Sequence, residues 1–256
     1  MRITNEIYKL DNISLEVKII NNDIKNNLAP LVMLHEGLGS IALWKDFPEK
    51  LANKIDRKII IYSREGMGKS TPITASRNIK FMHTEAKYYL KNIIEYYCEK
   101  EPILFGHSDG ASIALIYGGL DMSINSIIVE APHLMVEDIT VREISKIKSK
   151  WQTSNLRDKL GKYHEDVEGA FNGWCNIWLS EEFKKWNIEE YIKKVKVPLF
   201  AIQGENDQYG SIEHIDLLEK LLETRFKKLI ISNCRHSPHE EYPDLIIDNI
   251  GKFLNY

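Results

Sequence analysis

The sequence predicts an α/β fold: a mainly parallel sheet covered by helices on both faces, with a helical lid inserted late in the chain. Three observations predict it. Short apolar runs at 31–34, 59–62 and 197–202, and the Ile127–Val129 run within 126–130, have the length and β-branched content of strands buried on both faces. Amphipathic helical stretches separate these runs, and strands that alternate with helices pair in parallel. Residues 134–195 carry helical periodicity and no convincing strand, so they have to pack over one end of the sheet.

Taken in order, residues 5–20 are two alternating runs around Asp11-Asn12, which predicts a β-hairpin. A polar loop is expected at 21–27. The buried strand 31–34 runs into His35-Glu36-Gly37-Leu38-Gly39-Ser40, and Trp44, Phe47 and Leu51 then mark one face of a helix. Strand 59–62 follows, then a helix over 79–99 with Phe81, Leu90, Ile94 and Tyr97 inward. Ile103-Leu104-Phe105 is the next strand and leads into a helix reaching about residue 120. After strand 126–130 come the helices of 134–195, rich in aromatics that include Trp151, Trp174, Trp178 and Trp186. Strand 197–202 ends at Gly204-Glu205-Asn206-Asp207. A helix over 211–224, with Ile212, Ile215, Leu218 and Leu222 on one face, precedes a last strand at 229–231 and a closing helix at 243–254. The expected organisation is a core of 1–133 and 196–256 carrying a lid of 134–195, which caps an apolar pocket.

Bulk properties narrow the function. A chain of 256 residues makes one large domain, or one domain with an insertion. The formal net charge of −3 offers no electrostatic case for nucleic acid or an anionic membrane. No apolar run approaches membrane-spanning length, and the N-terminus has no signal core. Cys98, Cys175 and Cys234 are far apart, odd in number and without metal-ligand spacing. They are expected to be reduced thiols of a cytoplasmic protein.

The chemistry-bearing stretch is Gly106-His107-Ser108-Asp109-Gly110, a G-x-S-x-G pattern between a strand and a helix. Such a turn is tight enough to want glycine two positions either side of the serine, and it holds the hydroxyl clear of the sheet at a helix start. Serine needs an adjacent base with a pKa near neutrality, and the imidazole needs a carboxylate to fix its tautomer. His236 and Asp207 each follow a later strand, and parallel strands place those ends on one edge. Gly68-Lys69-Ser70 looks like the end of a phosphate-binding loop, but Ser63 stands where the opening glycine belongs and no helical periodicity follows Ser70.

Together, His35-Glu36-Gly37-Leu38-Gly39, the serine turn, Gly204-Glu205-Asn206-Asp207 and His236-Ser237-Pro238-His239 resemble the motifs of cap-bearing α/β-hydrolase serine enzymes, over nearly the whole chain. The stretch from Tyr62 to Ser70, with Arg64 and Ser70, is similar to that family's Asp-x-Arg-Gly-x-Gly-x-Ser segment. The resemblance implies Ser108 as nucleophile, Asp207 as acid and His236 as base. It also implies an oxyanion hole of the Gly37 and Asp109 backbone N–H groups, no cofactor and no metal. Glu36 replaces the usual glycine, which leaves Leu38 open as the donor and leaves Glu36 either packed behind the site or facing substrate. Glu130, which also ends a strand, competes with Asp207; His239 competes with His236. His83, His133 and His164 are expected in structural, surface or pocket roles. The activity implied is hydrolysis of a small carboxylic ester or related acyl compound. The alternatives are a C–C bond hydrolase, a proline-type aminopeptidase with Glu36, Glu165 or Glu168 near the amine, or a non-catalytic ligand-binding homologue.

Overall fold

The computed structural model describes residues 1–21 and 27–255. The loop expected at 21–27 therefore lies mostly outside the described residues; Asn21 itself ends a strand. One eight-stranded sheet runs in the order β1-β2-β4-β3-β5-β6-β7-β8. The hairpin β1 (Arg2–Leu10) and β2 (Ile13–Asn21) is antiparallel and joins β4 (Ile59–Tyr62) antiparallel. Parallel pairing then links β4, β3 (Leu31–Leu34), β5 (Ile103–His107), β6 (Ser126–Glu130), β7 (Leu199–Gly204) and β8 (Phe226–Ile231).

Period-two alternation sorts each strand into two cores. Val32, Leu34, Ile60, Tyr62, Leu104, Ile127, Val129 and Ala201 face the larger core, which takes in helix α4 (Asp109–Gly118) and most buried aromatics of the segment after β6. Leu31, Met33, Ile59, Ile61, Phe105, Ile128 and Ile202 face the other, against α1 (Phe47–Ile55) and the closing helix (Pro243–Leu254). Helix α4 is buried from Asp109 to Tyr117 on all sides, because it lies between the sheet and further helices.

Several boundaries depart from the sequence reading. The helix expected through Trp44, Phe47 and Leu51 breaks in two: Ile41–Trp44 is a 3-10 turn, Lys45 takes φ 53°, and α1 starts at Phe47. The helix over 79–99 spans α2 (Phe81–Thr84), a π-helical stretch (Glu85–Leu90) and α3 (Lys91–Tyr97). Helix α4 stops at Gly118 and β7 starts at Leu199. The last strand starts earlier, at Phe226, because exposed Lys227 and Lys228 sit on a sheet edge where lysine is tolerated. Ile212 is exposed and precedes α9 (Glu213–Leu222), whose buried face carries His214 as well as Ile215, Leu218 and Leu222.

Between β6 and β7 lie α5 (Asp138–Lys150), α6 (Leu156–Leu160), α7 (Val167–Trp178), a 3-10 turn (Phe183–Lys185) and α8 (Glu189–Ile192). The segment after β4 is a turn with no helix. Gly66 and Gly68 take positive φ, Ser70 Oγ donates to the Ser63 carbonyl, and Thr71 exchanges hydrogen bonds with Ser14 of β2. Lys69 is exposed there, which removes the phosphate-loop reading. All three cysteines are free, and among the described residues no helix is long and apolar enough to cross a membrane.

Candidate active site

The strand order places β3 and β5 side by side while the chain moves to opposite sides from them, which opens a crevice at their C-terminal ends. Ser108 sits there, between β5 and α4, at φ 53° and ψ −117°. That left-handed strained backbone is held by close approach on both sides. A Cβ at Gly106 would meet the Gly110 carbonyl oxygen at 2.2 Å, and one at Gly110 would meet the Leu34 carbonyl oxygen at 2.1 Å. Both contacts are with backbone, so neither glycine can be replaced without moving the strand or the helix. The Ser108 N–H donates to the Glu130 carbonyl at 2.8 Å and locks the turn to β6.

Asp207 and His236 arrive from the loops after β7 and β8. Those loops are knitted together: the Asn206 N–H donates to the Cys234 carbonyl, and Gly204 lies so close to the Arg235 carbonyl that a Cβ would stand 2.1 Å from it. His236 Nε2 is 2.9 Å from Ser108 Oγ, and His236 Nδ1 is 2.9 and 2.8 Å from the two Asp207 oxygens. A carboxylate only accepts, so Nδ1 carries the proton and Nε2 offers its lone pair to the serine hydroxyl. The Tyr209 and Gly210 N–H groups and Gln203 Nε2 also donate to Asp207. Burial works against its charge, but the His236 ring and the hydrogen bonds overcome it and hold Asp207 at about 2.

Gly37 and Asp109 line the same cavity as Ser108. Among the described residues, neither the Gly37 nor the Asp109 N–H donates to another group. Arg64, 1% exposed, explains how the loop after β3 is set. Its Nη1 donates to the His35 carbonyl at 2.5 Å and its Nη2 to the Glu36 carbonyl at 2.9 Å. A trans peptide points its N–H opposite its C=O, so anchoring the Glu36 carbonyl aims the Gly37 N–H away from Arg64. Sequence reasoning noted Arg64 without giving it this task. The Asp109 carboxylate is buried, accepts from Trp178 Nε1 at 3.2 Å, and is pushed upward by burial despite Arg64 and Arg77 nearby. Glu36 lines the cavity, and its Oε2 stands 3.6 Å from His107 Nδ1. Burial opposes its charge, yet the His107 and His35 rings hold it well below the usual carboxylate range.

The two competing residues pair with each other. Glu130 Oε1 accepts from the His239 N–H at 2.9 Å and lies 2.8 Å from His239 Nδ1, beneath the serine turn. With His107 they form a buried trio whose ligand-capable atoms lie within 4.8 Å of one another. As folded, His107 Nε2 lies 2.8 Å from the His236 carbonyl and His239 Nδ1 is paired with Glu130 Oε1, while among the described residues His107 Nδ1 and Glu130 Oε2 have no hydrogen-bond partner. His133 is buried, lines the cavity and packs against Trp178, His214 and His236. His83 packs on Tyr191, and His164 is buried at 4% exposure.

The cavity in front of Ser108 has a volume of about 280 Å³. Beyond the polar groups at its floor, its walls are Leu38 and Ile144, Ile147, Leu156, Leu160 and Trp174 from α5, α6 and α7. The Trp174 indole lies on Gly37, where a Cβ would meet its Nε1 at 2.2 Å. Glu165 and Glu168 do not line this cavity; Glu168 is bonded to Arg157 and Trp151.

The α/β hydrolase fold profile matches residues 29–186. A proline iminopeptidase of Lactobacillus crispatus is 22% identical over 271 residues, covering 90% of this chain and 92% of the relative. One of Lactobacillus acidophilus is 22% identical over 279 residues with the same shares. Among solved structures, a serine hydrolase involved in carbazole degradation superposes with a TM-score of 0.77 at 17% identity, covering 99% of both chains. E-2-(acetamidomethylene)succinate hydrolase gives 0.77 at 14% identity over 100% of both. These structural likenesses are likenesses of fold.

Proposed function

Because this chain belongs to the α/β hydrolase fold family, we propose that it is a serine hydrolase that cleaves a small, uncharged acyl compound, with a carboxylic ester as the preferred class. One observation carries the reading: Ser108 Oγ stands 2.9 Å from His236 Nε2, at the floor of a cavity whose remaining walls are apolar. Ser108 attacks the acyl carbon as His236 takes its proton, and Asp207 stabilises the imidazolium that results. The oxyanion of the tetrahedral intermediate is held by the Gly37 N–H after β3 and the Asp109 N–H at the start of α4. His236 then protonates the leaving group, and a water it activates releases the acid from the acyl-enzyme. Residues 134–195 act as the lid, and its α5–α7 side chains set which acyl group fits. A cavity near 280 Å³ falls at the small end of ligand pockets and favours short acyl groups.

The names of the sequence relatives favour a second reading, an aminopeptidase. Such an enzyme needs a carboxylate free to hold the substrate's ammonium group. Here Glu36 faces His107 and Asp109 is bonded to Trp178, while Glu165 and Glu168 lie outside the cavity. The pocket chemistry therefore favours a neutral substrate.

A nitrophenyl ester series from acetyl to palmitoyl, run beside proline nitroanilide and a ring-cleavage diketone, tests the proposal. The expected optimum is a short ester, with kcat falling at least about 10⁴-fold in Ser108→Ala. Proline nitroanilide as the best substrate would establish the second reading. Ester turnover untouched in Ser108→Ala would refute both.

A further inference from the structure

His164 lies in the turn between α6 and α7 and reaches back to two loops of the sheet edge. The Gly68 N–H donates to its Nδ1 at 3.0 Å, and its Nε2 lies 2.9 Å from the Leu38 carbonyl. Beside it, the Glu165 N–H donates to the Gly68 carbonyl at 2.9 Å. The two partners dictate the proton. An N–H cannot accept, so Nδ1 must present a lone pair; a carbonyl cannot donate, so Nε2 must carry hydrogen. The ring thus bridges one donor and one acceptor only as the neutral Nε2–H tautomer.

Leu38 is the middle of the turn that supplies the Gly37 N–H. Hydrogen bonds from several residues fix that turn. Arg64 holds the His35 and Glu36 carbonyls from the sheet side, the Gly39 N–H folds back to the Glu36 carbonyl at 3.0 Å, and His164 holds the Leu38 carbonyl from the inserted segment. The Leu38–Gly39 peptide is therefore held at both ends: its N–H by the Glu36 carbonyl within the turn, and its C=O by His164 of the inserted segment. Gly68 has a matching constraint: it takes φ 59°, and a Cβ would meet Ser63 Oγ at 2.4 Å and Glu16 Oε2 at 2.5 Å. Its N–H is thus held in place to meet the ring.

We infer that His164 is a positioning residue of the oxyanion turn: as a neutral imidazole it latches the inserted helices to the loops after β3 and β4, and sets the Gly37 N–H through the Leu38 carbonyl. The inference rests on the serine hydrolase reading above. Two carboxylates face the ring from the sheet side, Glu36 beyond β3 and Glu16 on β2, and His35 lies on the same side. Burial disfavours the charged ring, while Glu36, Glu16 and the Leu38 carbonyl favour it, and the balance lowers its pKa. Addition of a proton at Nδ1 would set two donors against each other at Gly68.

The test compares wild type, His164→Phe and His164→Gln with a short ester and with an alkyl boronic acid that mimics the tetrahedral intermediate on Ser108. Loss of the latch loosens an oxyanion donor, whose full removal costs about 10²–10³ in kcat. The Phe variant is expected to lose about tenfold or more in kcat and in boronate affinity alike, with KM within about twofold. Glutamine, which both accepts and donates, is expected to recover most of that loss. A folded Phe variant with wild-type kcat and boronate affinity overturns the inference. So does a loss that appears in KM as strongly as in kcat, which would mean plain damage to the pocket. Imidazole nitrogen NMR of the wild type decides independently of any variant's folding. An Nε2–H tautomer at neutral pH is expected, and an Nδ1–H tautomer or an imidazolium overturns the latch. A wild type that forms no Ser108 boronate adduct but shows the Nε2–H tautomer defeats the hydrolase reading alone.

Discussion

The His107 ring faces two carboxylates, half-buried Glu36 and buried Glu130, while its Nε2 meets the His236 carbonyl at 2.8 Å. Burial alone would discharge an imidazole here, but the carboxylates and that carbonyl push its pKa up to about 9. Its folded pKa lies above the value near 6.5 of an unfolded chain. The stabilisation is therefore complete below about pH 6.5 and lost as pH rises through about 9, a swing on the order of 3 kcal/mol. Urea unfolding of wild type is expected to weaken between about pH 6 and about pH 9.5, and His107→Gln to flatten that slope. A slope unchanged in the variant would mean that His107 is neutral in the fold. The sequence marks His107 only as the residue before Ser108. Its partners come from the loop after β3, the end of β6 and the loop after β8, and nothing along the chain announces that they meet.

Among the elements, the stretch 81–97 shows where periodicity carries information and where it stops. Phe81, Leu90, Ile94 and Tyr97 are buried as their spacing predicts, but Glu85–Leu90 winds as a π-helix, and Glu85 is buried at its start. An apolar pattern cannot register a carboxylate that faces inward. Burial pushes Glu85 up to about 7, with Glu65 and Asp109 adding to the shift and Arg64 and Arg77 opposing it. Its folded pKa is raised, so the group favours folding only while protonated: stability is full below about pH 4.5 and declines as pH rises through about 7. Glu85→Gln is expected to raise the melting temperature at about pH 8 and leave it unchanged at about pH 4. Equal melting curves at both pH values would contradict a buried neutral carboxyl. Strands buried on both faces, such as β3 and β6, were legible because an apolar run, Leu31–Leu34 or Ile127–Val129, makes up most of each. The edge strand β8 was legible only in its last half, since Lys227 and Lys228 serve solvent and not the core.

At the scale of the molecule, the sheet order does the assembling. Parallel strands β5, β7 and β8 end on one edge, so residues 108, 207 and 236 meet although 128 positions separate the first from the last. This convergence was readable because each residue follows a strand, or for His236 the end of one, that the sequence marks. The pairing of Glu130 with His239 was not, since either residue suits the triad by position and only the packing beneath the serine turn separates them. The cavity walls were hidden for the same reason: helical periodicity identifies inward faces of α5, α6 and α7 but not what they face. The most direct measurement is intact-protein and peptide mass spectrometry after exposure to a fluorophosphonate. One adduct is expected, on the peptide that carries Ser108, and it should vanish in Ser108→Ala. An adduct on another residue, or ester turnover that persists with Ser108 unlabelled, would contradict the account.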